Sequence, residues 1–225
     1  MKRTALAVLL SAVIPISAHA ESWFQFEAGL GVACINDQGD GVWIQQGAPN
    51  NHEQTTTPAL LLGVTGPLYA RGALDLRWHV DYVYLGEYSA SVDGVPDEFY
   101  DPVHHEVLPE WSQTGARYSP FNGHGHLQGV PVTLDVGYTW NGWRFGVEAG
   151  PWLYWQTWHE SLYGLDNEWH DLSHKTQVQV SYVVGANVSH GNLSLSYHFY
   201  KATGGGNPYP GLASGANVLM MQYRF

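Results

Sequence analysis

Apolar and polar side chains alternate with a period of two through most of this chain, and the alternation divides it into eight strands. The first runs roughly from Trp23 to Cys34, with Phe24, Phe26, Ala28, Leu30 and Val32 opposite Gln25, Glu27, Gly29 and Gly31. The second, about Thr57 to Thr65, has Leu60, Leu62 and Val64 as its apolar face. In the third, about Ala73 to Tyr88, Leu74, Leu76, Trp78, Val80, Tyr82 and Tyr84 interleave with Asp75, Arg77, His79 and Asp81. The fourth, about Gly129 to Trp140, sets Val132, Leu134, Val136, Tyr138 and Trp140 against Thr133, Asp135, Gly137 and Thr139. The fifth, Trp143 to about Trp158, sets Phe145, Val147, Ala149, Leu153 and Trp155 against Arg144, Gly146, Glu148, Gly150 and Gln156. Lys175 to Val188, Leu193 to about Lys201 and Ala216 to Phe225 complete the set.

The connections alternate in length. Thr65 to Gly72, Asn141-Gly142 and His190 to Asn192 are short, whereas Ile35 to Thr56, Glu87 to Gln128, His159 to His174 and Ala202 to Gly215 are long. Asn-Gly tolerates the positive backbone angles of a two-residue hairpin turn. An even number of strands with short turns at one end and long loops at the other is the plan of a membrane barrel, whose short turns face the periplasm. The expected fold is therefore all-β, an eight-stranded antiparallel transmembrane up-and-down barrel occupying residues 21–225.

Residues 1–20 read as a signal peptide. Lys2 and Arg3 precede an apolar run from Ala5 to Ile16, and Ala18-His19-Ala20 offers small residues for cleavage after Ala20. With this export signal, a last strand ending in Tyr223-Arg224-Phe225 resembles the sorting signal of bacterial outer-membrane barrels, which implies that the barrel assembly machinery is a partner during insertion. Composition agrees with that compartment. Ten Trp, 14 Tyr and 7 Phe accompany only 13% charged residues, and barrels place aromatics at both membrane interfaces. The formal charge of −11 speaks against a nucleic-acid partner, whose phosphates bind Lys and Arg. Cys34, the only cysteine, can form no internal disulfide, and Glu21 stands where a lipidated cysteine would have to follow the cleavage site.

The strand parity sends Glu27, Asp75, Arg77, His79, Asp81, Asp135, Arg144, Glu148, His198 and Arg224 into the lumen. Eight strands leave room only for side chains to fill the interior, so these charges are expected to pair as a polar plug. Among the residues that could carry chemistry, Ser196 and His198 lie two apart on one strand face, with Glu148 able to reach them across the lumen, which is a nucleophile, base and carboxylate. The longest loop carries His104-His105, His124-Gly125-His126 and several acidic residues, interrupted by Tyr100 and Trp111. The histidine spacing matches no metal motif, and neither metal nor cofactor is expected. Tyr100, His104, His105 and Trp111 are instead the candidate surface for an extracellular ligand.

Two family resemblances bear on function. The stretch from His198 to Phe225, with Asn207-Pro208 and Pro210-Gly211, resembles the end of the lipid A 3-O-deacylases, eight-stranded outer-membrane esterases. That family carries a His-x-Ser pair on the seventh strand and a later acid, whereas this chain has Tyr200 in the Ser position and no Asp or Glu after Asp171. As a whole, the short turns, long loops and terminal Phe resemble the small OmpA-like and Ail/Lom-like surface barrels, some of them phage-borne. That resemblance implies surface binding, protection or receptor modification through the long loops, with outer-membrane lipid and lipopolysaccharide as neighbours. A lipid A-modifying esterase is the alternative, and a narrow channel comes last.

Overall fold

The computed structural model describes residues 23–36, 42–44, 52–96, 100–101, 106–107, 119–163, 167–203 and 212–225. Residues 1–20, His104, His105 and Trp111 lie outside these. The described residues form twelve strands: β1 (Gln25–Asn36), β2 (Val42–Ile44), β3 (His52–Gln54), β4 (Thr56–Arg71), β5 (Leu74–Pro96), β6 (Tyr100–Asp101), β7 (Glu106–Val107), β8 (Ser119–Trp140), β9 (Trp143–Tyr163), β10 (Trp169–His190), β11 (Leu193–Lys201) and β12 (Gly215–Arg224). Tyr100 thus falls in β6, which pairs only with β7.

Eight of these strands close a ring. The order β5-β4-β1-β12-β11-β10-β9-β8 returns to β5, and all the pairings are antiparallel. Closure removes every sheet edge from the bilayer, where unpaired backbone groups are too costly. The short β2 and β3 attach to β5 beyond the reach of β4. The tight turns include Asn141-Gly142, where both residues have positive φ (49° and 80°), and Gly191, at 59°.

The faces follow the expected parity through the ring. Leu30, Leu62, Leu134, Val147, Val180 and Met221 are exposed on the outside, forming an apolar belt. Trp140, Trp143, Tyr138, Tyr223 and Phe225 crowd one rim, and Tyr82 and Trp155, with rings 6.1 Å apart, mark the other. At about 3.3 Å per residue and a strand tilt near 40°, Trp143 and Trp155 are roughly 30 Å apart along the barrel axis, enough to span a hydrocarbon core.

At the short-turn end β4 runs on to Arg71, through the connection expected after Thr65, and at the long-loop end four strands go further than the alternation predicts. β5 continues past Tyr88 to Pro96, β8 starts at Ser119 rather than Gly129, β9 runs past Trp158 to Tyr163, and β10 starts at Trp169 rather than Lys175. His124 and His126 therefore sit on a strand, not in a loop. Beyond Trp155 the outer face turns mainly polar, while the inward face mixes apolar side chains with the buried Gln156 and Glu160. Tyr88, Phe121, Trp158 and Leu162 now point inward and are buried, while His124, Thr157, His159 and Ser161 point outward. Lipid outside demands apolar side chains there; water outside demands the opposite. A search for apolar-out strands ends where the solvent changes.

A bulge adds to the break in β5. Gly86, at φ 89°, lies within the register shift between Tyr84 and Glu87, so the inward set passes from Leu85 to Tyr88. Thr57 Oγ1 donates to the Leu85 carbonyl beside it, and a Cβ on Gly86 would collide with that threonine.

Candidate functional site

The lumen is built in layers, and the layer nearest the short turns is ionic. Arg144, near the start of β9, donates from Nε to both Asp75 oxygens at 2.9 Å, from Nη2 to Asp75 Oδ1 at 2.6 Å and from Nη1 to Asp135 Oδ2 at 2.7 Å. Asn187 ties the same corner, accepting from Arg144 at 3.2 Å and donating to Asp135 at 3.2 Å. The guanidinium has room because Gly137 and Gly146 face each other across β8 and β9; a Cβ on either would meet it. Arg77 Nε is 3.5 Å from Asp75.

One layer up, His79 joins three strands. Its Nδ1 lies 2.7 Å from Glu27 Oε1, and its Nε2 lies 3.5 Å from Thr65 Oγ1 and 3.7 Å from Asp135 Oδ2. Arg224, the cross-strand partner of Glu27, approaches it at 3.8 Å. Asp81 occupies the gap left by Gly63, where any side chain would overlap it. Next come His198 and Glu148, in direct contact through His198 Nε2, with the histidine ring lying over Gly185.

The upper half of the lumen departs from the expected polar plug. Trp152 stacks on Tyr154 with centroids 4.8 Å apart and lies 5.0 Å from Tyr200, among Leu61, Val83, Leu85, Ala33 and Val218. The polar ends of these aromatics find partners: Trp152 Nε1 donates to the Lys201 carbonyl at 2.7 Å, and Tyr154 OH to Gln179 Oε1 at 3.1 Å. Above them Tyr88 stacks on Trp158 at 5.4 Å, and Trp158 Nε1 donates to Glu160 Oε2 at 2.8 Å. Gly123 lies against the Trp158 ring, where a Cβ would clash. A polar interior is needed only where charges must neutralise one another. Elsewhere aromatics fill the same volume with fewer partners to satisfy.

Each inward charge named from the sequence thus lies in one connected lumen cluster: Glu27, Asp75, Arg77, His79, Asp81, Asp135, Arg144, Glu148, His198 and Arg224. The catalytic candidates are placed differently from what esterase chemistry needs. Ser196 Oγ donates to the Met220 carbonyl at 3.4 Å, and His198 and Ser196 are buried on the lumen side, away from lipid. The aromatic plug of Trp152, Tyr154 and Tyr200 was missed, although Trp152 and Tyr154 continue the inward parity of Gly150 and could have been read from it.

An apolar belt bounded by aromatics, a closed ring and a filled lumen leave one architecture. The chain folds as a small eight-stranded transmembrane β-barrel. No family model matches the chain, and no curated protein does. Among solved structures, Ail, the attachment invasion locus protein of Yersinia pestis, is similar over 89% of this chain and 98% of its own, with 14% identity and a TM-score of 0.41. Neisserial surface protein A is similar over 90% of this chain and 96% of its own, with 12% identity and a TM-score of 0.39. The outer membrane protease OmpT of Escherichia coli is similar over 89% and 97%, with 9% identity and a TM-score of 0.49.

Beyond the upper aromatic rim the barrel presents polar surface. Tyr84 OH lies 3.0 Å from His126 Nδ1, and Tyr82 OH donates to Gln128 Oε1 at 2.5 Å. Higher still, an open groove of about 300 Å³ runs between β3, β5 and β8, lined by His52, Glu87, Ser89, Asn122 and His124.

Proposed function

We propose that this chain is exported by its N-terminal signal and stands in the bacterial outer membrane with its short turns in the periplasm. It acts at the cell surface, through the wall and loops above the upper rim, in binding, protection or receptor modification. The observation that carries this reading is the polar outer wall above the rim. Four strands project past the lipid with mainly polar side chains outward and an interior packed around Tyr88, Phe121, Trp158 and Leu162, a platform for the loops they carry. The filled lumen argues against a channel, and the inward Ser196 and His198 argue against lipid hydrolysis.

The test is a trimmed barrel. Ser91 and Asn122 are cross-strand partners, so residues 92–121 can be replaced by an Asn-Gly turn without disturbing the strands below. Cells carrying the trimmed barrel should lose adhesion, serum resistance or phage exclusion conferred by the full chain, while a Tyr200→Phe lumen variant keeps it. A phenotype that survives trimming, or a lipid A mass that changes with the protein and reverts in His198→Ala, overturns the reading.

A further inference from the structure

One cluster of side chains has no part in the lumen or the belt. His124 on β8, His159 on β9 and His174 on β10 form a single cross-strand row, His124 opposite His159 and His159 opposite His174. All three face outward above Trp155; His124 and His174 are exposed and His159 is half-buried. Their rings approach closely, with centroids 5.3 Å apart for His124 and His159 and 5.5 Å for His159 and His174. The Nδ1 atoms of His159 and His174 are 3.3 Å apart, and His159 Nε2 lies 3.3 Å from Asp171 Oδ1.

We propose that His159 and His174 bind a divalent transition-metal ion of the zinc or copper type, which His124 joins by turning its ring toward them, with Asp171 as the positioning residue. Two nitrogens held at 2.0–2.1 Å by a tetrahedral ion are roughly 3.3 Å apart, the separation of the two Nδ1 atoms. An imidazole that donates one N–H to a carboxylate turns the lone pair of its other nitrogen outward, the usual arrangement behind a metal-bound histidine. His159 Nε2 is the atom that lies beside Asp171, and His159 Nδ1 is the atom that faces His174.

The backbone is shaped for that contact. Asp171 and His174 are three positions apart, which in a regular strand would put them on opposite faces. The register shift between Asp171 and Ser173 inserts Leu172 as an extra residue and turns Asp171 outward, where its side chain is 77% exposed. Three imidazoles without thiolate or further oxygen ligands select a zinc- or copper-like ion over magnesium or calcium. The fourth position faces the surroundings.

Among the described residues the sets whose ligand atoms already lie within 4.8 Å of one another are both in the lumen, Glu27 with His79 and Asp81 and His79 with Asp135 and Glu148, whereas the histidine row closes only when the His124 ring turns toward its neighbours. There Glu27 and Asp135 already meet arginines and His79 bridges them, so both lumen sets are committed to charge pairing.

The experiment is zinc titration of the full-length barrel, refolded in detergent without a polyhistidine tag, by calorimetry and zinc X-ray absorption. One ion per chain with nitrogen donors near about 2.0 Å is expected. Affinity should fall at least about tenfold in His124→Ala, His159→Ala and His174→Ala and about tenfold or more in Asp171→Asn, with His79→Gln unchanged. No zinc binding by the folded wild-type chain overturns the site. So does one ion retained by a triple His124→Ala, His159→Ala, His174→Ala variant whose heat-modifiable migration shows a folded barrel, and so does its loss in His79→Gln.

Discussion

The Arg144 guanidinium holds Asp75 with two of its nitrogens, Nε at 2.9 Å and Nη2 at 2.6 Å, while its third donates to Asp135. Asp135 is fully buried and Arg144 nearly so, with the side chain of Asp75 17% exposed. Removing the cation strands two carboxylates. Arg144→Met should cost about 3–5 kcal/mol, and Arg144→Lys should recover only part of it because an ammonium cannot reproduce the fork. Urea unfolding in lipid vesicles checks this; a loss under about 1 kcal/mol would mean the layer contributes little to stability.

The outer face should respond to charge by depth. Leu134 lies midway between the rims, opposite Ala149, and is half-exposed to lipid. Leu134→Arg is expected to cost about 2–4 kcal/mol, whereas Thr157→Arg, above the upper rim, should cost close to nothing. Equal costs at the two positions would place the membrane differently on the barrel.

Two separate layers close the lumen, so breaching one should not open it. Trp152→Ala with Tyr200→Ala should destabilise by about 3 kcal/mol or more through the cavity it leaves. Planar-bilayer recordings of this variant should remain silent, because Arg144, Asp75 and Asp135 still span the short-turn end. Discrete current steps would show that the aromatic layer alone seals the barrel.

Orientation can be read by labelling intact cells. In a Cys34→Ser background, Asn122→Cys should react with a membrane-impermeant maleimide. Asn192→Cys, in the turn after β10, should react only after the outer membrane is permeabilised. The reverse pattern would invert the barrel.

Inside the belt the strand faces were legible in the sequence because a single rule, apolar toward lipid, governs every ring strand from Phe26 to Tyr223. The lumen charges were legible for the same reason: Asp75, His79 and Arg144 interrupt apolar runs at every second residue. Pairing partners were not, since Arg144 and Asp75 are brought together by the β5–β8 and β8–β9 registers rather than by sequence proximity. The projecting strands were hidden by the change of solvent at Trp155 and by the Gly86 bulge, which shifts the phase within β5. The histidine row shared both handicaps. Its members stand on three strands, and Leu172 displaces Asp171 from the parity a regular strand would give it.

The change to a polar outer face beyond Trp155 divides the molecule by what holds it together. Below that level the outer surface is at rest only in hydrocarbon. Above it, Trp158, Phe121, Tyr88 and Leu162 form a nucleus of the kind found in water-soluble proteins, indifferent to whether lipid is present. From Trp155 to Tyr163 that part rises roughly 20 Å at the same rise and tilt. It is a mast rooted in the bilayer, able to keep its shape in water and to carry the ends of its strands clear of the lipid surface.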